Sequence, residues 1–208
     1  MTIATYYEPL NAERIPEDEA LIQLWRESWS KCGFNTIVVD HSFAKQHPFH
    51  HWVSEHVSKF PTVNHRGYEL HCFLRHLAFQ LSGAHLYSDY DAIAYAPLAM
   101  HKHKPAIHSF MDRHPALYCA TPEGFKWFWN HVFGWDDFDD FEGKPHVSDM
   151  TIFRKLTMSS SNDCIDWPNP GWKTAPVVHY GNTRLPRKPG EVPRNKAAII
   201  LELQKERL

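Results

Sequence analysis

The sequence predicts an α/β domain with a mostly parallel central sheet flanked by helices. Three features carry that reading. A strand, a helix and a second strand follow one another within the first 40 residues. A long amphipathic helix then stops at a glycine and leads into a short apolar strand, and the alternation returns near residue 120. A chain of 208 residues fits one domain, and 43% hydrophobic with 22% charged residues is the composition of a folded protein.

Thr2 to Glu8 reads as a strand ending at Tyr7. Pro16 with Glu17, Asp18 and Glu19 supplies a helix start, because acids suit the positive end of the helix dipole. Leu21, Leu24, Trp25, Trp29 and Cys32 recur at helical spacing up to Gly33, a helix stop, and Thr36 to Asp40 is an apolar strand. Strand, helix, strand at this spacing implies a parallel pair with a right-handed crossover. Pro48 opens a second helix reaching Phe60, and Tyr68 to Ser82 forms a third, with Gly83 as its stop. The strand Ala84 to Ser88 runs straight into Asp89-Tyr90-Asp91. Ala116 to Ala120 is a further strand, and Thr121-Pro122 caps a helix reaching Phe133.

The second half is less regular. Trp135 to Gly143 is acidic and aromatic, and a helix is expected near Ser148 to Leu156. A Pro/Gly/Asn/Trp loop spans Asp166 to Thr174, before a strand at Val177 to Tyr180. A proline-rich crossing from Leu185 to Pro193 precedes an amphipathic helix from Asn195. That helix has no stop signal and is expected to run to the last residue, either because the chain is cut from a longer protein or as a natural C-terminal helix.

Lys plus Arg number 22 and Asp plus Glu 24, a net charge of −2, which argues against a general nucleic-acid binder. The most basic stretch, Arg184 to Arg194, is diluted by prolines. No segment approaches the roughly 20 apolar residues that span a bilayer, and the first residues lack the pattern of a secretory signal. Cys32, Cys72, Cys119 and Cys164 form no C-x-x-C pair and are expected as reduced, mostly buried thiols. Together these observations point to a soluble cytoplasmic protein. Its sixteen histidines make its charge sensitive to pH.

In an open α/β sheet, ligands bind outside the carboxyl ends of the strands. Asp89 and Asp91 sit at such an end, and an i, i+2 spacing in extended backbone would point both carboxylates to one face. Like charges placed together call for a cation, and Mg²⁺ or Mn²⁺ keeps positions open for substrate phosphates. A surface turn accounts for Ser, Asp and Tyr equally simply.

The run Tyr68 to Ala78 with its Arg75, then Ser82-Gly83, then Tyr87-Ser88-Asp89-Tyr90-Asp91, resembles the GT-A glycosyltransferases. They share an arginine-bearing helix, a glycine turn and a D-x-D motif. The likeness extends back to Leu24–Trp29 and Gly33-Phe34, and forward to Val147–Met150 and Val177–Tyr180. One departure is Ser82-Gly83-Ala84 where two glycines are usual. Size and the missing anchor resemble soluble viral or bacterial members.

The resemblance implies a GT-A fold and transfer of a sugar from a nucleotide-sugar donor, UDP-linked by preference, to a glycan or glycoprotein acceptor, with Mn²⁺ or Mg²⁺ as cofactor. It implies Asp89, Asp91 and His179 as metal ligands, with Asp89 alternatively on the donor's ribose. Thr5, Tyr6 and Tyr7 would meet the nucleotide base, and Ser88, Asp89 and Tyr90 would also contact the donor. Arg75 would reach the diphosphate or sugar; otherwise it is a solvated arginine. Asp149 would act at the anomeric carbon or acceptor hydroxyl, as a base in an inverting reaction or a stabiliser or nucleophile in a retaining one, with retention favoured by analogy. A helix-start carboxylate is its plain structural alternative.

Two other readings compete. His101-Lys102-His103, His47, His50-His51, and His71 with His76 offer ligands for a histidine metallohydrolase, although H-E-x-x-H spacing is absent. A non-catalytic carbohydrate-binding module would use the aromatic stretch Trp135 to Phe141, which lines the acceptor side in the enzyme reading.

Overall fold

A computed structural model of the chain describes residues 1–99, 106–134, 139–156, 159–181 and 195–207. The first strand, β1 (Thr2–Tyr6), helix α1 (Ile15–Lys31) and β2 (Asn35–Val39) form the expected parallel unit, with Ala4 opposite Ile37. Helices α2 (His41–Ala44), α3 (His50–Val57) and α4 (Arg66–Ser82) follow. Gly83 ends α4 at φ 64°, in the left-handed region that suits glycine. Next come β3 (Leu86–Ser88), β4 (Ala92–Ala94), β5 (Ile107–Ser109), β6 (Leu117–Ala120) and α5 (Pro122–Phe133). The Thr121 hydroxyl caps α5 by accepting from the Gly124 amide at 3.2 Å. A hairpin of β7 (Asp139–Phe141) and β8 (Lys144–His146) leads to α6 (Asp149–Lys155). The chain continues through β9 (Ser159–Ser160), β10 (Cys164–Asp166), β11 (Val177–His179) and α7 (Lys196–Gln204).

The main sheet has the order β2-β1-β3-β6-β5-β9. It is mixed, where the sequence suggested a mostly parallel sheet. Neighbours run parallel at β2–β1, β1–β3 and β5–β9, and antiparallel at β3–β6 and β6–β5. The short β5–β6 loop explains the antiparallel β6–β5 pair, since a parallel return needs a crossover of roughly a dozen residues. A second sheet, β10-β11-β4, lies beside the D-x-D segment.

Alternating side chains divide the core between the two faces of the main sheet. Ala4, Tyr6, Tyr87 and Tyr118 join one cluster, with residues of α3 to α6; Ile3, Leu86 and Leu117 join the other, with residues of α1, α7 and the small sheet. Gly124 is required where α5 crosses the end of β5, because a Cβ there would stand 1.8 Å from the Ala106 carbonyl oxygen.

Some expectations need correction. Helix α7 stops at Gln204 instead of running to the last residue, and Asn195 caps its start through the Ala198 amide. None of the four cysteines forms a disulfide, but only Cys164 is buried. No helix among the described residues is long and apolar enough to cross a membrane. His101–His103, residues 135–138 of the aromatic stretch and the proline-rich crossing lie outside the described residues.

Candidate functional site

The D-x-D segment leaves β3 as a turn, not as extended strand: the Ala92 amide donates to the Asp89 carbonyl at 3.0 Å. Turn geometry, not strand alternation, therefore brings Asp89 and Asp91 together. Helix α1 holds both sides of this turn with fully buried tryptophans. Trp25 Nε1 donates to Ser88 Oγ at 3.2 Å, and Trp29 Nε1 donates to the Ala92 carbonyl at 3.0 Å.

The third ligand-bearing residue arrives through sheet pairing. In the antiparallel β4–β11 ladder His179 stands opposite Ala92, and the Tyr180 amide donates to the Asp91 carbonyl at 2.9 Å. One ligand atom from each of Asp89, Asp91 and His179 then lies within 4.8 Å of the others. No other group of three or more His, Cys, Asp or Glu among the described residues meets that distance.

Asp166 was not foreseen. It stands opposite His179 in the parallel β10–β11 pair, and His179 Nδ1 lies 2.8 Å from Asp166 Oδ1. That contact places a proton on Nδ1 and leaves Nε2 toward Asp91 at 3.2 Å, an arrangement suited to metal-ligating histidines. Burial alone would lower the His179 pKa, but Asp91, Asp166 and Asp89 outweigh it and raise it to about 10. Lys196 at the start of α7 is a second unforeseen partner, its Nζ 2.7 Å from Asp91 Oδ2. Burial opposes the Asp91 charge, but Lys196 and His179 hold that carboxyl well below its usual range. Burial pushes Asp89 the other way, with Asp91 adding to the rise and Arg75 opposing it.

Arg75 is not a solvated arginine. Its side chain is 12% exposed; Nη1 donates to Asp89 at 2.7 Å, while Nε, at 2.9 Å, and Nη2 donate to Asp149 Oδ2. Asp149 begins α6, as the plain alternative had it, and it is also built into the cleft. Buried His76 completes its surroundings, with Nε2 3.0 Å from Asp149 Oδ2 and Nδ1 2.6 Å from the Tyr118 hydroxyl. Burial drives the His76 pKa down to about 4 against the pull of Asp149, so the ring is neutral: Nε2–H donates to Asp149, and Nδ1 accepts from Tyr118. Burial would raise Asp149, but Arg75 and His76 bring it down to about 2. The hydrogen bonds to Asp149 among the described residues converge on Oδ2, and the residue lines the cleft.

Two lobes meet at Arg75, Asp89 and Asp91. The first, about 150 Å³, reaches Tyr6, Glu8 and Tyr90. The second, about 270 Å³, reaches His114, Ser148, Asp149 and His179. Of the expected base-contacting residues, Tyr6 lines the first lobe, its hydroxyl 2.7 Å from His71 Nδ1. Thr5 is fully buried, and Tyr7 packs edge-on against Tyr90 with ring centroids 5.8 Å apart. Ser88 is also fully buried: its hydroxyl accepts from Trp25 and donates to the Asp89 carbonyl. Thr5 and Ser88 are thus enclosed in the core, where neither side chain lines the cleft. No family model, curated protein or solved structure matches the chain.

Proposed function

We propose that this chain transfers a sugar from a nucleotide-sugar donor, a UDP-sugar by preference, to a glycan acceptor. The observation that carries the reading is the convergence of Asp89, Asp91 and His179 at a strand end, at the junction of two cleft lobes. Two carboxylates and an imidazole oriented by a carboxylate fit a divalent cation such as Mn²⁺ or Mg²⁺. When bound, such a cation supplies Lewis-acid stabilisation of a leaving diphosphate. The order of the main sheet and the parallel βαβ start are compatible with a GT-A fold.

The first lobe offers Tyr6 and Tyr90 as aromatic walls for a nucleobase, and the second holds Asp149 for the sugar. Arg75 links the lobes, tying Asp89 to Asp149 and bringing a fixed positive charge to a site that receives a diphosphate. Asp149, held ionised by Arg75 and His76, is a weak base. Its role is to stabilise positive charge developing at the anomeric carbon, which favours the retaining course. The β7–β8 hairpin sets exposed Phe141 beside His146, with ring centroids 6.1 Å apart, and His146 lines the second lobe, the side on which an acceptor would approach.

The test is a thermal-unfolding scan with UDP, with and without Mn²⁺, on the wild type and Asp91→Asn. A ligand at about 100 times its Kd stabilises the native state by about 2.7 kcal/mol, several degrees for this length. The expected result is a shift that requires both UDP and Mn²⁺ and is lost in Asp91→Asn. Release of UDP from a panel of UDP-hexoses then separates an enzyme from a binding module. No shift with any nucleotide would overturn the reading.

A further inference from the structure

The loop between β5 and β6 contains consecutive non-glycine residues in left-handed backbone conformations, Asp112 at φ 26° and Arg113 at φ 63°. Such geometry is strained for residues with a Cβ and persists where surrounding bonds enforce it. Here Ser109 enforces it: its hydroxyl lies 3.2 Å from the Met111 carbonyl and 2.9 Å from the His114 carbonyl, and 3.2 Å from the Met111 amide. The loop delivers His114 to the cleft, with its ring centroid 5.4 Å from that of His179.

The orientation of His114 is fixed as well as its position. The Ala116 amide donates to His114 Nδ1 at 3.1 Å, so that nitrogen is an acceptor. A ring nitrogen that accepts a hydrogen bond carries no proton, so the imidazole is neutral. A neutral imidazole that accepts at Nδ1 carries its proton on Nε2. His114 lines the second lobe, with Asp149, and does not line the lobe of Tyr6 and Tyr90.

We propose that His114 is a sugar-specificity residue, donating a hydrogen bond from Nε2 to a hydroxyl of the sugar carried by the donor. This rests on the nucleotide-sugar reading above. A site built around a donor discriminates against a sugar lacking the matching oxygen, because the bound sugar then leaves the N–H lining the cleft unpaired. The assignment to the sugar rather than the nucleotide follows from the lobe that His114 lines.

The test uses His114→Asn, whose side-chain oxygen keeps an acceptor near the Ala116 amide while removing the donor at the reach of Nε2, with His114→Ala beside it. UDP affinity is measured with Mn²⁺, and turnover with the UDP-hexose that the wild type uses fastest and with its monodeoxy analogues. The expected result is a roughly 10- to 100-fold fall in kcat/KM with UDP affinity unchanged within about twofold. One deoxy donor should be penalised in the wild type and not further in the variants. In the wild type alone, the ¹⁵N signal of His114 Nε2 should shift with the UDP-hexose and not with UDP. An equal loss of UDP affinity, an unchanged kcat/KM, or a deoxy penalty of the same size in wild type and variant would each overturn the assignment. A wild type that neither binds UDP with Mn²⁺ nor turns over a UDP-hexose would overturn the donor reading itself, a result distinct from those three.

Discussion

Replacing Arg75 with methionine would leave the carboxylates of Asp149 and Asp89 without the cation that neutralises them. The Asp149 side chain is only 3% exposed, so its charge is poorly solvated once the guanidinium is gone. Breaking one side of such a buried pair costs about 3 kcal/mol or more. Arg75→Met is therefore expected to lower Tm by about 6–12 °C, measured by calorimetry without ligand. Glu69 is the second residue with a local consequence. It is 2% exposed; Thr62 and Asn64 donate to Oε2, while Oε1 is buried with no hydrogen-bond partner. Burial raises its pKa to about 7 from an ordinary 4.5. The native state holds this proton more tightly than the unfolded chain. The resulting stability is present below about pH 4.5 and is lost as pH rises through 7. Glu69→Gln is expected to flatten that part of the pH dependence and to exceed the wild type in urea midpoint at pH 8. A variant whose midpoint changes with pH in parallel with the wild type between pH 5 and 8 would contradict this account.

Helix α7 links the chain's last described element to the candidate metal centre. Ile199 and Ile200 are buried, the Lys196 amide donates to Glu17 of α1 at 2.9 Å, and the Lys196 ammonium meets Asp91. Arg207, just past the helix, lies 3.7 Å above the Tyr95 ring and donates to the Ala175 carbonyl at 2.8 Å. The element thus serves as packing and as a source of one counter-charge. Lys196→Met retains the aliphatic stem and removes the charge. It is expected to lower Tm by several degrees in EDTA, and by less in saturating Mn²⁺, where a second cation neutralises Asp91. Equal losses in both conditions would mean that Lys196 acts through packing alone. Helix α1 has a comparable double role, since its apolar stripe carries the two tryptophans that hold the D-x-D turn.

At the scale of the whole molecule, histidine burial governs behaviour in acid. His76, at about 4, and His114, at about 3, have pKa values below those of the unfolded chain. Their contribution is fully present above pH 6.5 and is lost as pH falls through 4 and 3, because the unfolded chain takes up protons first. Asp149, held down at about 2, extends the loss to lower pH. Glu69 works in the opposite direction over this range, so the profile is read in Glu69→Gln, whose urea midpoint is expected to fall steadily from pH 6.5 to 4; a flat profile there would contradict the buried neutral state of His76. The site also joins the two sheets, since Asp89 follows β3 while His179 ends β11. A ligand bridging them is expected to raise the melting of the whole fold as one transition.

Local chemistry made much of the first half legible. The caps, glycine stops and 3.6-residue periodicities of α1, α4 and α5 are properties of neighbouring residues, and so is the parallel β1–β2 unit implied by a short crossover. The same locality singled out Asp89 and Asp91. Reading those two as extended strand misplaced them; the segment is the turn that its Ser, Asp and Tyr also suggested, and β4, which closes it, is too short to leave a periodic signal. Asp166, Lys196 and His114 were also beyond local reach. Their side chains matter through a β10–β11 register, a helix packed from the far end of the chain and a strained loop held by Ser109. His179 was singled out only through a family resemblance, and the β4–β11 ladder sets it opposite the turn. The amino-acid order determined helices α1, α4 and α5 with their ends, the first parallel pair and the acidic turn, because these rest on contacts within a few residues. Tertiary structure decided the mixed sheet, the neutral state of His76 and the charge balance around Asp91, because each depends on groups distant in sequence that share one desolvated space.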